Sequence, residues 1–227
     1  IRDRAAHGAE EAPVVHLGDL VDRGANSKGV IDFLLEGRGA GQDWVVLRGN
    51  HDQLFLDFLN GGDGTDPHLK SGVTWHSNIM GGAATLASYT GGKKILERQL
   101  TYEARARAMV PEAHRDFLRR LPFWFAGEDM VFVHAGVRPG FPMEAQDEDD
   151  LMWIRNDFLW HMGKHQSLII HGHTPVEEPT HYGNRINIDC GAGWGHDLVP
   201  VVLDEGICYA LTSEGRQQVK PPSEYYQ

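Results

Sequence analysis

Short apolar runs followed directly by ligand-type side chains constrain this sequence more than any other feature. Four such runs have the length and composition of buried strands in a mostly parallel sheet, at residues 14–17, 44–47, 130–133 and 168–170. The segments that follow them carry carboxylate, amide and imidazole groups, in the order Asp19, Asn50-His51, His134 and His171-Gly172-His173. Because ligand sites of α/β proteins assemble at strand ends, we expect these side chains to lie near one another.

The pattern between and after these runs predicts the order of the elements. Helical patterns with one apolar face occupy residues 26–35 and 52–59, which gives the chain a βαβα start. Residues 60–125 combine helix formers with glycine-rich joints, and we expect a helical insertion with helices at residues 93–109 and 111–121. The C-terminal half is strand-rich, with further predicted strands at residues 185–188, 199–203 and 207–211.

Length and charge limit the class of protein. A chain of 227 residues suits one domain with its own core, so we predict one α/β domain over residues 1–219 and a loose tail at residues 220–227. The formal net charge of −11 argues against a broad nucleic-acid binder, because such proteins neutralise phosphates with basic residues. We recognise no transmembrane run and no secretory leader, and we therefore expect a cytoplasmic protein with no membrane partner.

The side chains after the strands indicate metal chemistry. Carboxylate, amide and imidazole donors form a mixed oxygen and nitrogen set, which suits manganese, iron, zinc or magnesium. Glycines beside these residues permit the tight turns that direct them to one point. Cys190 and Cys208 lie in apolar, strand-like surroundings, and we interpret them as buried free thiols rather than as ligands.

Four motifs together carry a resemblance to a known family. In chain order they are Gly-Asp-x-x-Asp-Arg-Gly at residues 18–24, Gly-Asn-His-Asp at residues 49–52, His-Ala-Gly at residues 134–136 and Gly-His-Thr at residues 172–174. They resemble the calcineurin-like metallophosphoesterases, specifically the bacterial branch of the PPP serine/threonine phosphatases. The resemblance spans about residues 14–203 and implies an α/β fold of the four-layer α/β/β/α sandwich type, with two divalent metal ions, expected to be manganese.

The resemblance implies a role for each matching residue in metal binding. Asp19 matches the carboxylate that bridges two metals, and the remaining ligands of the second metal are matched by Asn50, His134 and His173. Two cations about 4 Å apart polarise one water and one phosphate oxygen, which favours in-line displacement at phosphorus. The resemblance therefore implies that water attacks the phosphorus directly.

Four further residues match the family's groups for phosphate binding and proton transfer. Arg23 and Arg155 match phosphate-binding arginines, whose planar guanidinium groups suit phosphate oxygens. His51 matches the proton donor to the leaving oxygen, and Asp22 matches the carboxylate that orients this imidazole. Proton donation matters most for an alkoxide leaving group, because an alkoxide leaves poorly without a proton.

One departure from the family pattern concerns the first metal. The family has an Asp-x-His-Gly motif on a strand roughly thirty residues before the position of Asp19, and this motif supplies the other ligands of the first metal. Only 18 residues precede Asp19 here. Asp66-Pro67-His68 has similar letters but sits in a polar glycine loop, which we interpret as a surface loop. We expect that the native protein has upstream residues, including a first strand, that are absent from this sequence.

Plain structural interpretations stay open for several of these residues. Asp19 and Asp22 also suit turns, His134 a satisfied core position and Arg155 a solvated helix surface. Trp75-His76 with Gly81-Gly82 is interpreted either as the lining of a substrate entrance or as an exposed hinge, and we leave these residues out of the site.

These observations predict a metal-dependent phosphomonoester hydrolase, specifically a serine/threonine protein phosphatase, acting on a phosphoprotein or a phosphorylated small molecule. One alternative is a diadenosine polyphosphate or other small-molecule phosphohydrolase, because that branch of the family also has Gly-Asn-His-Asp, so that Asp52 does not separate the two. The other alternative is a noncatalytic pseudophosphatase or scaffold, motivated by the absent Asp-x-His-Gly motif. We expect no nucleic-acid partner.

Overall fold

The computed structural model describes residues 3, 6–9, 11–94 and 97–223. The chain divides into two compact units, one comprising Ile1–Leu47 and His51–Pro122, the other Arg48–Asn50 and Phe123–Gln227. One domain over residues 1–219 stays a prediction, and residues 224–227 of the predicted tail lie outside the described residues. None of the described helices is long and apolar enough to cross a membrane.

The first unit begins with a pair of parallel strands joined by a helix, as predicted. Strand β1 (Val14–His16) pairs with β2 (Trp44–Val46) along their whole lengths. Helix α1 (Ser27–Gly39) connects them, and the side chain of Asn26 caps its start by accepting the N–H of Gly29 at 3.0 Å. Because the strands are parallel, the segments that follow β1 and β2 leave from the same edge.

Four more helices complete the predicted βαβα start and the helical insertion. They are α2 (Asn50–Leu59), α3 (Gly82–Thr90), α4 (Gln99–Met109) and α5 (Glu112–Arg119). The helix predicted at residues 93–109 begins at Gln99, and its residues 95 and 96 lie outside the described residues. Helix α3 has no counterpart among the predicted helices, because the glycine pairs at its ends suggest flexible joints.

An aromatic cluster forms the core of the first unit around Trp75. The Trp75 side chain has 0% exposure, and its ring lies 5.6 Å from that of Phe55 and 5.0 Å from that of Phe58. Tyr89 of α3 packs against Phe55 with 5.7 Å between ring centroids. The expectation of an exposed hinge at Trp75 is therefore wrong, because the indole fills the core between helices.

A buried hydrogen-bond chain links α1, α3 and α5 in the first unit. The Tyr89 hydroxyl lies 2.8 Å from His114 Nδ1, and His114 Nε2 lies 3.0 Å from a carboxylate oxygen of Asp32. Burial lowers the pKa of His114, although the Asp32 charge opposes the shift. A neutral His114 accepts a hydrogen bond from the Tyr89 hydroxyl and donates one to Asp32. One polar side chain from each of the three helices therefore has a hydrogen-bond partner.

The second unit contains two sheets. The five-stranded sheet has the strand order β3-β4-β5-β7-β6, with β4, β5 and β7 parallel and both edge strands antiparallel to their neighbours. The three-stranded antiparallel sheet has the order β10-β9-β8. The strands are β3 (Trp124–Ala126), β4 (Met130–Val133), β5 (Leu168–His171), β6 (Thr180–His181), β7 (Arg185–Asn187), β8 (Val201–Asp204), β9 (Ile207–Thr212) and β10 (Gly215–Gln218).

The two faces of the five-stranded sheet pack against different layers. Val131 and Val133 of β4 join a core with Phe158 and the helices α6 (Glu148–Trp153) and α7 (Asn156–Leu159). The intervening β4 side chains turn to the opposite face and pack with β8 and β9 around Cys208. The prediction of an α/β sandwich is confirmed, and the buried, free state predicted for both cysteines is confirmed as well.

His165 is half-buried in the second unit, and its surroundings disfavour the protonated form of its imidazole. Its ring packs against Phe158 at 5.5 Å, and among the described residues nothing hydrogen-bonds to its buried Nε2. Burial, together with the nearby charges of His161 and Arg185, lowers the pKa of His165 to about 4. The folded protein therefore holds this imidazole neutral at a pH where the unfolded chain binds a proton.

We expect the folded state to lose stability as the pH falls from about 6.5 towards 4, because the unfolded chain takes up the His165 proton first. His165→Gln should show a smaller decrease in unfolding free energy between pH 7 and pH 5 than the parent, measured by urea unfolding with a chelator present. The difference between the two proteins at pH 8 gives the packing cost of the substitution alone. Parallel pH profiles for the two proteins would contradict this account.

Candidate active site

Three predicted metal ligands converge in the second unit. Asn50 is the first residue of α2, His134 follows β4 directly, and His173 follows β5 after Gly172. The Asn50 Oδ1 lies 3.0 Å from His134 Nε2 and 3.0 Å from His173 Nδ1, and these two nitrogens lie 3.2 Å apart. Asn50 and His134 each have 2% exposure, and His173 has 9%. One amide oxygen and two ring nitrogens thus form a small buried triangle.

The geometry of this triangle fits a divalent cation. A cation accepts a lone pair from all three atoms at once. Ligand atoms at right angles around a cation with bonds of about 2.1 Å lie about 3.0 Å apart, which matches the edges of the triangle. The oxygen and nitrogen donors suit manganese, iron, zinc or magnesium.

Close packing behind His134 fixes its position at the end of β4. The Ala135 N–H donates to Leu151 O at 2.9 Å, and the Gly172 N–H donates to His134 O at 2.8 Å. A Cβ at position 136 would lie 2.2 Å from a ring carbon of Phe158, so only glycine allows this approach. The His-Ala-Gly motif thus combines a ligand with the small residue that lets its strand end pack.

Arg155 lies beside the segment that carries His173. Its Nη1 donates to the Thr174 hydroxyl at 3.3 Å, and the residue is exposed. Trp153, two residues earlier, presents its ring to the His173 ring edge-on, with 6.1 Å between centroids. The Leu-Met-Trp-Ile-Arg segment therefore supplies a ring that packs against His173 and an accessible guanidinium beside Thr174.

The predicted acid pair forms in the first unit. His51 Nδ1 lies 2.6 Å from Asp22 Oδ2, and the exposed fractions of the two residues are 4% and 6%. Asp22 Oδ2 also accepts the indole N–H of Trp75 at 2.8 Å, and its Oδ1 accepts the Thr85 hydroxyl at 2.6 Å. Three donors therefore surround the carboxylate. The His51 ring is held through Nδ1, which leaves Nε2 as its other polar atom.

The electrostatic surroundings of His51 favour a proton on the ring. Burial by itself lowers the pKa, but the Asp19 charge and the hydrogen bond and charge of Asp22 outweigh it, so the pKa of His51 lies above its ordinary value. Arg23 acts in the opposite direction. The pair is thus suited to hold a transferable proton.

Arg23 lies next to the imidazole of the pair. Its Nη2 lies 3.1 Å from His51 Nε2, and its Nε donates to Ile79 O at 3.1 Å. The Arg23 N–H also donates to Gly81 O at 3.3 Å, and a Cβ at Gly81 would lie 2.4 Å from that same nitrogen. Glycine is required at position 81 for this approach, so the loop before α3 fixes the arginine.

Asp52 holds the backbone that carries Asp19. The two oxygens of the Asp52 carboxylate accept the N–H groups of Asp19 and Leu20 at 2.8 and 2.9 Å. The Asp19 carboxylate in turn accepts the backbone N–H of His51 at 3.1 Å. The last residue of the Gly-Asn-His-Asp motif therefore organises the turn after β1, a role that sequence reasoning did not assign to it.

Backbone strain is concentrated at the predicted site residues. Among the described residues, five non-glycine residues have positive φ, and four are predicted site residues, namely Asp19 at 54°, Asp22 at 75°, Arg23 at 57° and His173 at 66°. A non-glycine residue in this region costs about 1–2 kcal/mol. Such strain persists only where surrounding contacts enforce it, and it clusters at functional sites.

The structure places the predicted residues in two groups, one in each unit. The second unit brings together the donors of Asn50, His134 and His173, with Arg155 beside the last of them, and the first unit contains Asp19, Asp22, Arg23 and His51. Asp19 as a bridging ligand, and with it a dinuclear centre, stays a prediction. Asp66 and His68 bond to each other in an exposed loop, as expected.

Trp75, Thr85 and Asp52 are the residues that the sequence interpretation left out of the site. An indole N–H and a threonine hydroxyl give no sequence signal of their partner, because both contacts to Asp22 join residues more than fifty positions apart. The one available signal was the glycine pair Gly81-Gly82, which indicates a close approach of backbone to a large side chain.

Comparisons with known proteins place this chain in a family. The family model for calcineurin-like phosphoesterases matches residues 5–200. The chain is 24% identical over 207 residues, 83% of its length and 74% of the relative's, to the asymmetrical bis(5'-nucleosyl)-tetraphosphatase PrpE of Anoxybacillus flavithermus.

A solved structure shows the same fold at low sequence identity. A cold-active protein-tyrosine phosphatase of a psychrophilic Shewanella species is 14% identical with a TM-score of 0.56, over 91% of this chain and 69% of that one. A metallophosphoesterase from Sphaerobacter thermophilus is 13% identical with a TM-score of 0.43, over 99% of this chain and 89% of that one. The family match over most of the sequence shows that this chain belongs to the calcineurin-like phosphoesterases, whose chemistry is metal-dependent hydrolysis of phosphoesters.

Proposed function

We propose that this chain hydrolyses phosphomonoesters, and that its substrates are phosphoserine and phosphothreonine residues of proteins. The observation that carries the proposal is the buried His51–Asp22 pair, with 2.6 Å between Nδ1 and Oδ2. An imidazole held by a carboxylate at Nδ1 donates from Nε2 to the oxygen that leaves. A serine or threonine alkoxide needs that proton, whereas a pyrophosphate leaving group is stable without it.

Asn50, His134 and His173 are the residues that we propose to hold a divalent cation, with manganese as the proposed metal. When bound, such a cation polarises a phosphate oxygen and activates the attacking water. The three side chains are buried and fixed at strand ends, so they are arranged for the cation before it arrives.

Arg23 and Arg155 are proposed to bind the oxygens of the phosphate. The Arg23 guanidinium lies against His51, which places a fixed positive charge beside the nitrogen that donates the proton. Arg155 is exposed and lies next to Thr174, so its guanidinium is accessible to an incoming phosphate. Planar guanidinium groups bind phosphate through two parallel hydrogen bonds and stabilise charge that builds up in the transition state.

A second candidate function is hydrolysis of dinucleoside polyphosphates. It is favoured by one finding, the 24% identity to a bis(5'-nucleosyl)-tetraphosphatase. The same metal ligands and arginines would serve this reaction, and the difference lies in the leaving group. The relative need for His51 therefore separates the two functions.

A substrate panel with Mn²⁺ tests the proposal directly. We expect kcat/KM to be higher for phosphoserine and phosphothreonine peptides than for diadenosine tetraphosphate. A preference of about a hundredfold for the dinucleotide would establish the second candidate instead. Absence of turnover on both classes, with bound Mn²⁺ demonstrated, would support a pseudophosphatase and refute both.

The acid role of His51 predicts an effect that depends on the leaving group. His51→Asn removes the proton donor, so we expect kcat to fall by about a hundredfold on an alkyl phosphate. The loss should be much smaller on p-nitrophenyl phosphate, whose leaving group needs no proton. Steady-state kinetics on the two esters measure the difference, and an equal loss on both would remove His51 from this role.

If Asn50, His134 and His173 bind the cation, removing one of them should weaken the binding of Mn²⁺. His134→Gln should lower the affinity for Mn²⁺ by at least about tenfold, because one of three fixed donors is lost. Isothermal titration calorimetry measures the affinity. Arg155→Ala is the matched control in the same unit, with Mn²⁺ affinity retained and phosphate binding weakened. Unchanged Mn²⁺ affinity in His134→Gln would place the cation elsewhere.

A further inference from the structure

The Asp22 carboxylate is held by two side chains from the helical insertion. Trp75 Nε1 donates to Oδ2 at 2.8 Å, and the Thr85 hydroxyl donates to Oδ1 at 2.6 Å. Both donors have 0% exposure. The carboxylate therefore has one fixed donor on each oxygen in addition to His51, and its rotation about the Cβ–Cγ bond would break both bonds.

The indole of Trp75 is itself held in place on every side. Its ring packs against those of Phe55 and Phe58, with 5.6 and 5.0 Å between ring centroids. The backbone N–H of Trp75 donates to Gly64 O at 2.7 Å, and the backbone O of Trp75 accepts the Gly82 N–H at 3.0 Å. A Cβ at Gly82 would lie 2.4 Å from the indole Cε2, so glycine at the start of α3 is what admits the ring. The donor is rigid because its packing is complete.

Thr85 contacts both the backbone and the side chain of Asp22. The Asp22 N–H donates to Thr85 Oγ1 at 2.8 Å, while the Thr85 hydroxyl proton points to Asp22 Oδ1. Ser27 Oγ lies 3.2 Å from both Thr85 Oγ1 and the Asp22 nitrogen. Asp22 has a φ of 75°, a conformation that an aspartate holds only under constraint. Thr85 supplies that constraint from α3.

We propose that Trp75 and Thr85 are positioning residues that orient the Asp22 carboxylate, and through it the His51 imidazole, for proton donation to the leaving group. This inference rests on the proposed hydrolysis of phosphomonoesters and adds residues of the insertion to its acid machinery. A catalytic imidazole is effective only when its donor nitrogen is held in direction as well as in distance. The insertion thus contributes to the chemistry although neither of its two residues touches the substrate.

Conservative variants separate positioning from packing. Trp75→Phe keeps an aromatic ring against Phe55 and Phe58 but removes the N–H, and Thr85→Val keeps the shape but removes the hydroxyl. We expect each to lower kcat by about tenfold on an alkyl phosphate, with a smaller change on p-nitrophenyl phosphate and little change in KM. Thr85→Ser, which restores the hydroxyl, should recover most of the loss.

Tyr89→Phe is the matched control, because it removes another buried hydroxyl from α3 that bonds to His114 rather than to Asp22. It should lower thermal stability and leave the ratio of kcat on the two esters unchanged. Equal losses on both esters in Trp75→Phe and Thr85→Val, or the same ratio change in Tyr89→Phe, would overturn the inference.

A double-mutant cycle tests whether the effect passes through His51. If Trp75 acts by orienting this imidazole, Trp75→Phe should cause no further loss of alkyl phosphate turnover in the His51→Asn background. An additive loss of about tenfold in that background would show that Trp75 acts elsewhere.

A readout without turnover keeps the inference separate from the proposed function. The His51 Nδ1 proton in a 2.6 Å bond to a carboxylate should give a strongly deshielded NMR signal. Trp75→Phe and Thr85→Val should shift this signal upfield or broaden it by faster exchange, whereas Tyr89→Phe should not. An unchanged signal in both site variants would overturn the inference. A parent protein that hydrolyses no phosphomonoester but shows these shifts would refute the proposed function alone.

Discussion

A buried carboxylate that must satisfy its hydrogen-bonding capacity governs the first unit of this protein. Removing a carboxylate from water is unfavourable unless donors replace the water, and Asp22 receives three, from an imidazole, an indole and a hydroxyl. Each donor comes from a different segment, namely the start of α2, the loop that carries Trp75, and helix α3. The packing of those segments is therefore tied to a single side chain, and the aromatic core around Trp75 serves the carboxylate as well as stability.

The second unit brings one amide oxygen and two imidazole nitrogens together at one buried point. Asn50, His134 and His173 place three lone-pair atoms within 3.2 Å of one another in a buried position. The sheet makes this possible, because β4 and β5 are parallel neighbours and release their following residues at the same edge. Oxygen and nitrogen atoms at this spacing suit the divalent cation that we propose for them, so the topology of the sheet already brings the proposed ligands together.

Much of this arrangement was predictable from the sequence. Asn50, His134 and His173 each follow an apolar run, and the topology of parallel strands brings such positions together whatever the details of packing. The pairing of His51 with Asp22 followed from motif resemblance, and the structure places their side chains 2.6 Å apart.

The supporting residues were not predictable, for physical reasons. Trp75 has no periodic pattern around it, and its donor role depends on tertiary packing that brings Gly82 and Phe58 against its ring. Asp52 resembles an ordinary residue of the first helical turn, yet its carboxylate accepts N–H groups from the turn after β1. Two helix ends differ from prediction, because α1 continues through Gly37 to Gly39 and α4 begins only at Gln99.

The left-handed backbone at Asp19, Asp22, Arg23 and His173 has an implication for attempts to make this protein more robust. Glycine adopts that conformation without strain, so relief of backbone strain alone would favour glycine at these positions. At Asp22, however, glycine would leave three buried donors without their acceptor, so the contacts of the side chain outweigh the strain of the backbone. Substitutions intended to raise the thermal stability of this protein should therefore be placed in other parts of the chain.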